Sequence, residues 1–223
     1  MQVQKENLEY LKTLKANNNR DWFNDHKKEF KRHQTNLKRV FETIFSSLKE
    51  HDQVDSFKVF RIYRDIRFSK NKTPYKTHFS ASYHRSKPEL RGGYYVHIEP
   101  NDKSFIAVGF WNPEKDDLFR IRQELAADAS EFKEIVSSKI FVDHWGDLKG
   151  DELKTAPRDF DKDHEDIHLI RKKQYIFTKQ FSDTEVLSTK FLASVDNHFR
   201  AVRPFFDYMS EVLTTDVNGQ SII

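Results

Sequence analysis

Between Asn19 and Phe68 the apolar pattern changes period, and that change limits the fold more than any other feature of the chain. Phe23, Phe30, Leu37 and Ile44 recur every seven residues, and Val40, Phe41, Phe45 and Leu48 fill the same stripe. This is the buried face of one helix of about 28 residues, opening near Asn19–Asp21, with Lys and Arg outside it. From residue 57 the period drops to two. Phe60, Ile62, Ile66 and Phe68 fall on one side of an expected strand, and Arg61, Tyr63, Asp65 and Arg67 on the other. Arg64 lies on the apolar side, where it needs a buried partner. A short helical turn within 61–67 is the competing reading.

The flanking segments repeat this alternation of types. Residues 4–16 read as a short helix carrying Leu8, Leu11 and Leu14, closed by Asn17-Asn18-Asn19. Residues 78–85 alternate as a strand. Tyr94–Glu99 and Ser104–Trp111, separated by the turn Pro100-Asn101-Asp102-Lys103, read as an antiparallel hairpin. Asn112 as N-cap, Pro113 and Glu114 open a helix whose buried face is Leu118, Ile121, Leu125, Phe132, Ile135 and Val136. Ile140–Trp145 reads as a further strand, Gly146 as the start of a loop, and Tyr175–Phe181 as a strand. A last helix is expected from Thr184 to Leu213, kinked or split at Pro204, with a frayed tail from Thr214. No repeat, low-complexity tract or long linker interrupts the chain. The expectation is one domain over residues 1–223. Its class is α+β: an antiparallel sheet from the middle of the chain, packed against long N-terminal, central and C-terminal helices.

Composition removes several functional classes. There are no cysteines, so disulfides, thiolate zinc sites, iron–sulfur clusters and cysteine nucleophiles are excluded. The six glycines spell neither a dinucleotide-binding fingerprint nor a P-loop, and no serine sits in a G-x-S-x-G elbow. No run approaches the ~20 apolar residues of a membrane span, and residues 1–7 lack the apolar stretch of a signal peptide. A cytoplasmic protein with no membrane partner is expected. The 20 phenylalanines supply the core that a highly charged chain otherwise lacks.

Charge singles out one segment. Residues 61–78 hold six Lys or Arg and one Asp, a net charge of +5, whereas the whole chain carries +3. Arg61, Arg64, Arg67, Lys70, Lys72 and Lys76 are suited to a phosphate or carboxylate, with Ser69 beside them and Tyr63 and Tyr75 as walls. Asp65 can orient one arginine and leave the other free. Two plainer readings stand beside this one: a charged edge strand that discourages aggregation, or an internal lattice with residues 143–166, which carry a net charge of −5.

Two other groups carry ionisable chemistry. His97 and Glu99 share a strand face, where they can act as base and orienting group, with His78 and Asp65 as alternatives. Two residues are too few for a metal site, and a pair at the surface of a half-exposed strand is the preferred reading. The run Asp159-Phe-Asp161-Lys-Asp163-His164-Glu165-Asp166-Ile-His168 lacks the glycine and the final Glu of a calcium loop. His164 and His168 stand four apart, but no helical pattern supports them as a pair, so an acidic solvated loop is expected. No metal and no cofactor are therefore expected.

Several segments together resemble one family. They are Asn17-Asn-Asn-Arg20-Asp-Trp22-Phe23 followed by His26-Lys27, Phe60 through His78, Gly93-Tyr-Tyr-Val-His-Ile-Glu-Pro100, Gly109-Phe-Trp-Asn-Pro113 and Gly150-Asp-Glu-Leu-Lys-Thr-Ala-Pro157. They are similar to the uncharacterised microbial and fungal family called domain of unknown function 2461. The resemblance implies an intracellular α+β protein and gives added weight to residues 61–78. It brings over neither an activity nor a catalytic residue. Three functions stay open. The first is binding of a phosphate- or carboxylate-bearing small molecule through 61–78. The second is an enzyme acting on a phosphorylated or nucleotide substrate with a histidine acid/base. The third, set behind these because the rest of the chain is net negative, is nucleic-acid binding through a basic, aromatic face. The oligomeric state is not legible.

Overall fold

The computed structural model describes residues 1–216 and 218–223. It is an α+β protein built on an antiparallel sheet of five strands in sequential order: β1 (Val54–Val59), β2 (Phe79–Arg85), β3 (Gly93–Ile98), β4 (Ser104–Phe110) and β5 (Tyr175–Phe181). The helices are α1 (Lys5–Ala16), α2 (Arg20–Asp25), α3 (Lys27–Lys49), α4 (Lys115–Ala127), α5 (Ser130–Ser137), α6 (Lys139–Trp145), α7 (Ile167–Ile170), α8 (Asp183–Leu187), α9 (Phe191–Ala201) and α10 (Arg203–Thr214). Among the described residues, no helix is long and apolar enough to cross a membrane.

The chain divides into two compact units. The first comprises residues 1–83, 95–106 and 180–196; the second comprises residues 84–94, 107–179 and 197–223. In the first, α3 buries Phe30, Leu37, Val40, Phe41, Ile44 and Leu48, the stripe expected from the heptad spacing. The leucines of α1 are buried as expected, and Asn7 of α1 stands 3.0 Å from the Nδ1 of the buried His33. In the second, Phe132, Phe141, Phe177 and Phe205 form an edge-to-face aromatic core. There Arg85, with a fully buried side chain, donates to the carbonyls of Arg91 and Phe206 and to Ser210 Oγ, and pairs with Asp207. Gly109 has φ +129°, and a Cβ there would stand 2.0 Å from the Tyr175 carbonyl oxygen, so only glycine fits.

Four expectations are corrected. The helix over residues 19–48 is two helices, because His26 leaves helical geometry and its Nδ1 stands 2.8 Å from the Trp22 carbonyl. The central helix breaks at Asp128, whose carboxylate accepts the Ser130 N–H; its N-cap is Glu114, not Asn112. Ile140–Trp145 is helix, not strand. Ser138 caps it, Gly146 ends it at φ +64°, and the buried Phe141 and Trp145 are four residues apart. The last helix is three: it splits at Pro204 as expected, with Pro204 in the first turn of α10, where its missing N–H costs little, and it breaks a second time after α8, which opens on a Ser182–Glu185 capping box and ends at Ser188. In the tail expected to fray, Thr215 is bridged to Ser221.

The expected strand at 60–68 is also absent. Regular pairing stops at Val59, and the chain runs as a loop to Phe79, closed by an isolated bridge between Tyr63 and Tyr75. Phe68, expected on the apolar face, is 96% exposed.

Candidate functional site

The basic loop is built largely from its own charges. Arg64 finds its partners inside the loop: its guanidinium donates to the Thr73 carbonyl, to Thr73 Oγ1 and to Ser69 Oγ. Lys72 donates to the Ile66 carbonyl at 2.9 Å. Arg67 forms a two-pronged pair with Asp65, which holds that carboxyl below its ordinary range and raises the guanidinium. Asn71 accepts from the Thr73 N–H and hydroxyl. Tyr75 is buried, stacked 3.9 Å from the ring of Phe23, and its backbone is bracketed by both ends of the Asn18 amide. Tyr63 remains half exposed and Lys70 exposed. All of residues 61–78 belong to the first unit, and all of 143–166 to the second. Within the second, Asp166 pairs with Lys133, Asp143 with Lys139, and Glu152 with Arg171 and Lys172.

A different set of cations converges where β1 and the loop's exit meet. The ammonium groups of Lys58 and Lys76 stand 5.8 and 5.2 Å from the centroid of the Phe60 ring. Burial lowers the Lys76 pKa, and the nearby Arg61 and Lys58 lower it further. Among the described residues, none of these three cations forms an ion pair. Sequence reasoning missed Lys58. Its signal was alternation: Lys58 and Phe60 are two apart, as neighbours on one strand face are.

Beyond Lys76 lies a histidine cluster, wholly within the first unit. His78 precedes β2, His97 is on β3, and Glu99 follows it. The two imidazoles are 4.0 Å apart by centroid, and one donor atom from each of His78, His97 and Glu99 lies within 4.8 Å of the others. His97 Nε2 is 2.9 Å from Glu99 Oε2, and its Nδ1 is 3.2 Å from the Tyr95 hydroxyl. A carboxylate only accepts, so His97 donates from Nε2 and Nδ1 accepts from Tyr95. Thr77 Oγ1 donates to the other Glu99 oxygen at 3.2 Å. Phe105 stacks 4.6 Å from the His97 ring and closes one side. The pair expected at a strand surface is thus mostly enclosed, with His97 only 8% exposed.

Enclosure sets the protonation. Burial, then His97, then Lys76 pull the His78 pKa down to about 3. Burial lowers His97 as well; Glu99 opposes this and Lys76 adds to it. Both imidazoles are neutral at pH 7; the lone pair of His97 is on Nδ1, where it accepts from Tyr95.

The remaining histidine motif does not assemble. His164 stands 3.1 Å from the Ala126 carbonyl through Nε2, and its Nδ1 accepts the Asp166 N–H, so both ring nitrogens serve backbone. His168 lies in the four-residue α7, which begins after His164.

No curated protein and no solved structure matches the chain. The residues that carry the resemblance, from Asn17 before α2 through the 61–78 loop, β3 and β4 to Pro157, all lie within one family model. The chain belongs to the DUF2461 family, described as a conserved hypothetical protein, whose model matches residues 6–208.

Proposed function

We propose that this protein binds a phosphate- or carboxylate-bearing small molecule, with Lys58, Arg61 and Lys76 as the anion seat beside the histidine cluster. The observation that carries this reading is the gathering of three cations without an ion-pair partner among the described residues, two of them against one aromatic ring. The exposed Lys58 and Arg61 repel the half-buried Lys76, and an incoming anion relieves that repulsion. Arg64, Lys72 and Arg67 are engaged in bracing the loop. Their part in this reading is to hold Arg61 and Lys70 in place, not to supply charge. The reading takes the cytoplasm, where phosphorylated small molecules are held, as its compartment.

The test is thermal unfolding in EDTA with tripolyphosphate or citrate as probe. A ligand at a hundredfold excess over its Kd stabilises by about 2.7 kcal/mol, so a rise of several degrees is expected. Lys76→Met combined with Arg61→Gln removes it. No rise with either anion, or an equal rise in the variant, overturns the reading. A single-stranded oligonucleotide that binds with a steep salt slope, and no response to small anions, replaces it with nucleic-acid binding.

A second reading rests on the 2.9 Å His97–Glu99 bond. A histidine so held is a general base whose tautomer is set by its carboxylate. Its place near Lys76 suits a phosphorylated substrate. Turnover of a phosphoester that disappears in Glu99→Gln supports it.

A further inference from the structure

We propose that His78, His97 and Glu99 form a binding site for a divalent first-row transition-metal ion. Two imidazoles and one carboxylate are a donor set suited to zinc or ferrous iron, and three protein ligands leave a coordination position open for water or a substrate oxygen. The donors come from a segment leading into β2 and from β3 and its end, so neighbouring backbone holds them. Their atoms lie within 4.8 Å of one another. Two ligands bound at ~2.1 Å to a tetrahedral ion stand about 3.4 Å apart. The His97–Glu99 pair is already closer than that, and a modest side-chain rotation of His78 closes the rest.

The outer contacts are those a metal site needs. Thr77 Oγ1 holds one oxygen of Glu99 and leaves Oε2 facing His97. Tyr95 holds Nδ1 of His97 and leaves Nε2 facing Glu99. Such contacts orient ligands and strengthen them. His78 has no hydrogen-bond partner among the described residues; its one neighbouring ring is His97. A metal at His97 Nε2 displaces the proton there to Nδ1, and Tyr95 then accepts where it had donated. The imidazole stays neutral throughout, so uptake needs no other base.

This inference goes beyond the anion seat and does not depend on it. The test is titration of EDTA-stripped protein with cobalt(II) in phosphate-free buffer, so no anion result enters. One Co²⁺ per chain, with visible absorption bands of imidazole-bound cobalt that zinc displaces, is expected. His78→Asn and Glu99→Gln each weaken uptake by more than about tenfold, and Tyr95→Phe by about tenfold. Glu99→Gln keeps the size of the side chain and one of its two acceptor oxygens, so it is the variant best able to keep the fold. In the native protein, Zn²⁺ shifts the imidazole ¹⁵N resonances of His78 and His97. No uptake by the native protein, equal uptake by both ligand variants, or shifts confined to other histidines overturns the site.

Discussion

The loop from Arg61 to Thr73 and the cluster of His78, His97 and Glu99 both concentrate ionisable groups within the first unit, but they differ in what those groups face. In the loop three of the five cations face the loop itself: Arg64 and Lys72 reach its carbonyls, and Arg67 reaches Asp65. In the cluster the groups face one another across a small gap, and the hydrogen bonds around them come from Thr77 and Tyr95 outside it. A high density of charge in sequence is therefore no measure of unsatisfied charge in the fold. The loop is basic because it has little secondary structure, and long cations stand in for the backbone partners a strand would have had. The cluster is sparse in sequence, yet it brings one potential ligand atom from each of three side chains within 4.8 Å of the others.

If the loop is held by its core anchor more than by its charges, Tyr75→Ala is the most damaging change. It removes a buried ring stacked on Phe23 and 5.4 Å by centroid from the ring of Tyr63. A loss of about 3–5 kcal/mol is expected, as for other buried aromatics cut to alanine. Urea unfolding reads it. A loss below about 1 kcal/mol, on the same large-to-small scale, means the polar lattice holds the loop unaided.

The cluster is tested by acid. The His78 pKa is about 3 in the fold, against an ordinary value of 6.5. Between those values the unfolded chain binds a proton that the folded chain refuses, so stability rises with pH there. The contribution is full above about pH 6.5 and is lost as pH falls toward 3. His97, lowered in the same direction, adds to it, while Lys76 is the cation facing both rings. With part of the ring exposed, a loss on the order of 2–3 kcal/mol is expected in metal-free buffer. His78→Asn flattens the decline; an unchanged decline places its origin elsewhere.

These regions also differ in how readable they are. The β3–β4 hairpin follows from alternation and a turn-forming stretch, and α3 from its heptads, because both signals are local. The histidine cluster depends on strand pairing that brings residue 78 beside residues 97 and 99, and no local pattern encodes that. The loop was misread because Phe60, Ile62, Ile66 and Phe68 alternate as a strand does. Yet Ile62 is buried and Phe68 is exposed, since the backbone turns where Lys72 and Arg64 capture its carbonyls. In α6 the alternation of Ile140 and Val142 pointed the same wrong way; both are exposed. The flanking Ser138 and Gly146 were the better signal there.

Arg64→Ala separates the loop's bracing from its charge. The side chain makes three hydrogen bonds to loop groups, and its removal leaves the half-buried Thr73 carbonyl without that donor. A loss of about 1–2 kcal/mol is expected. Arg64→Lys restores little of it, since one ammonium cannot span Thr73 and Ser69 as the planar fork does. Recovery of native stability by lysine means charge alone is what the loop requires.

The smallest effect belongs to Phe68, and it sharpens the comparison because it is the loop's most conspicuous apolar group. At 96% exposure it loses almost no burial when cut back; the Arg67 guanidinium stands 6.0 Å from its ring centroid. Phe68→Ala is expected to change stability by less than about 0.5 kcal/mol, as at other surface positions. Phe105, stacked on His97 in the cluster, is the control. Its replacement by alanine opens one side of the histidines to water, so the acid-driven loss of stability becomes shallower as burial no longer holds the rings neutral. A Phe68 variant that alters the same pH profile would join loop and cluster into one device; a silent one leaves the loop as scaffold and the cluster as chemistry.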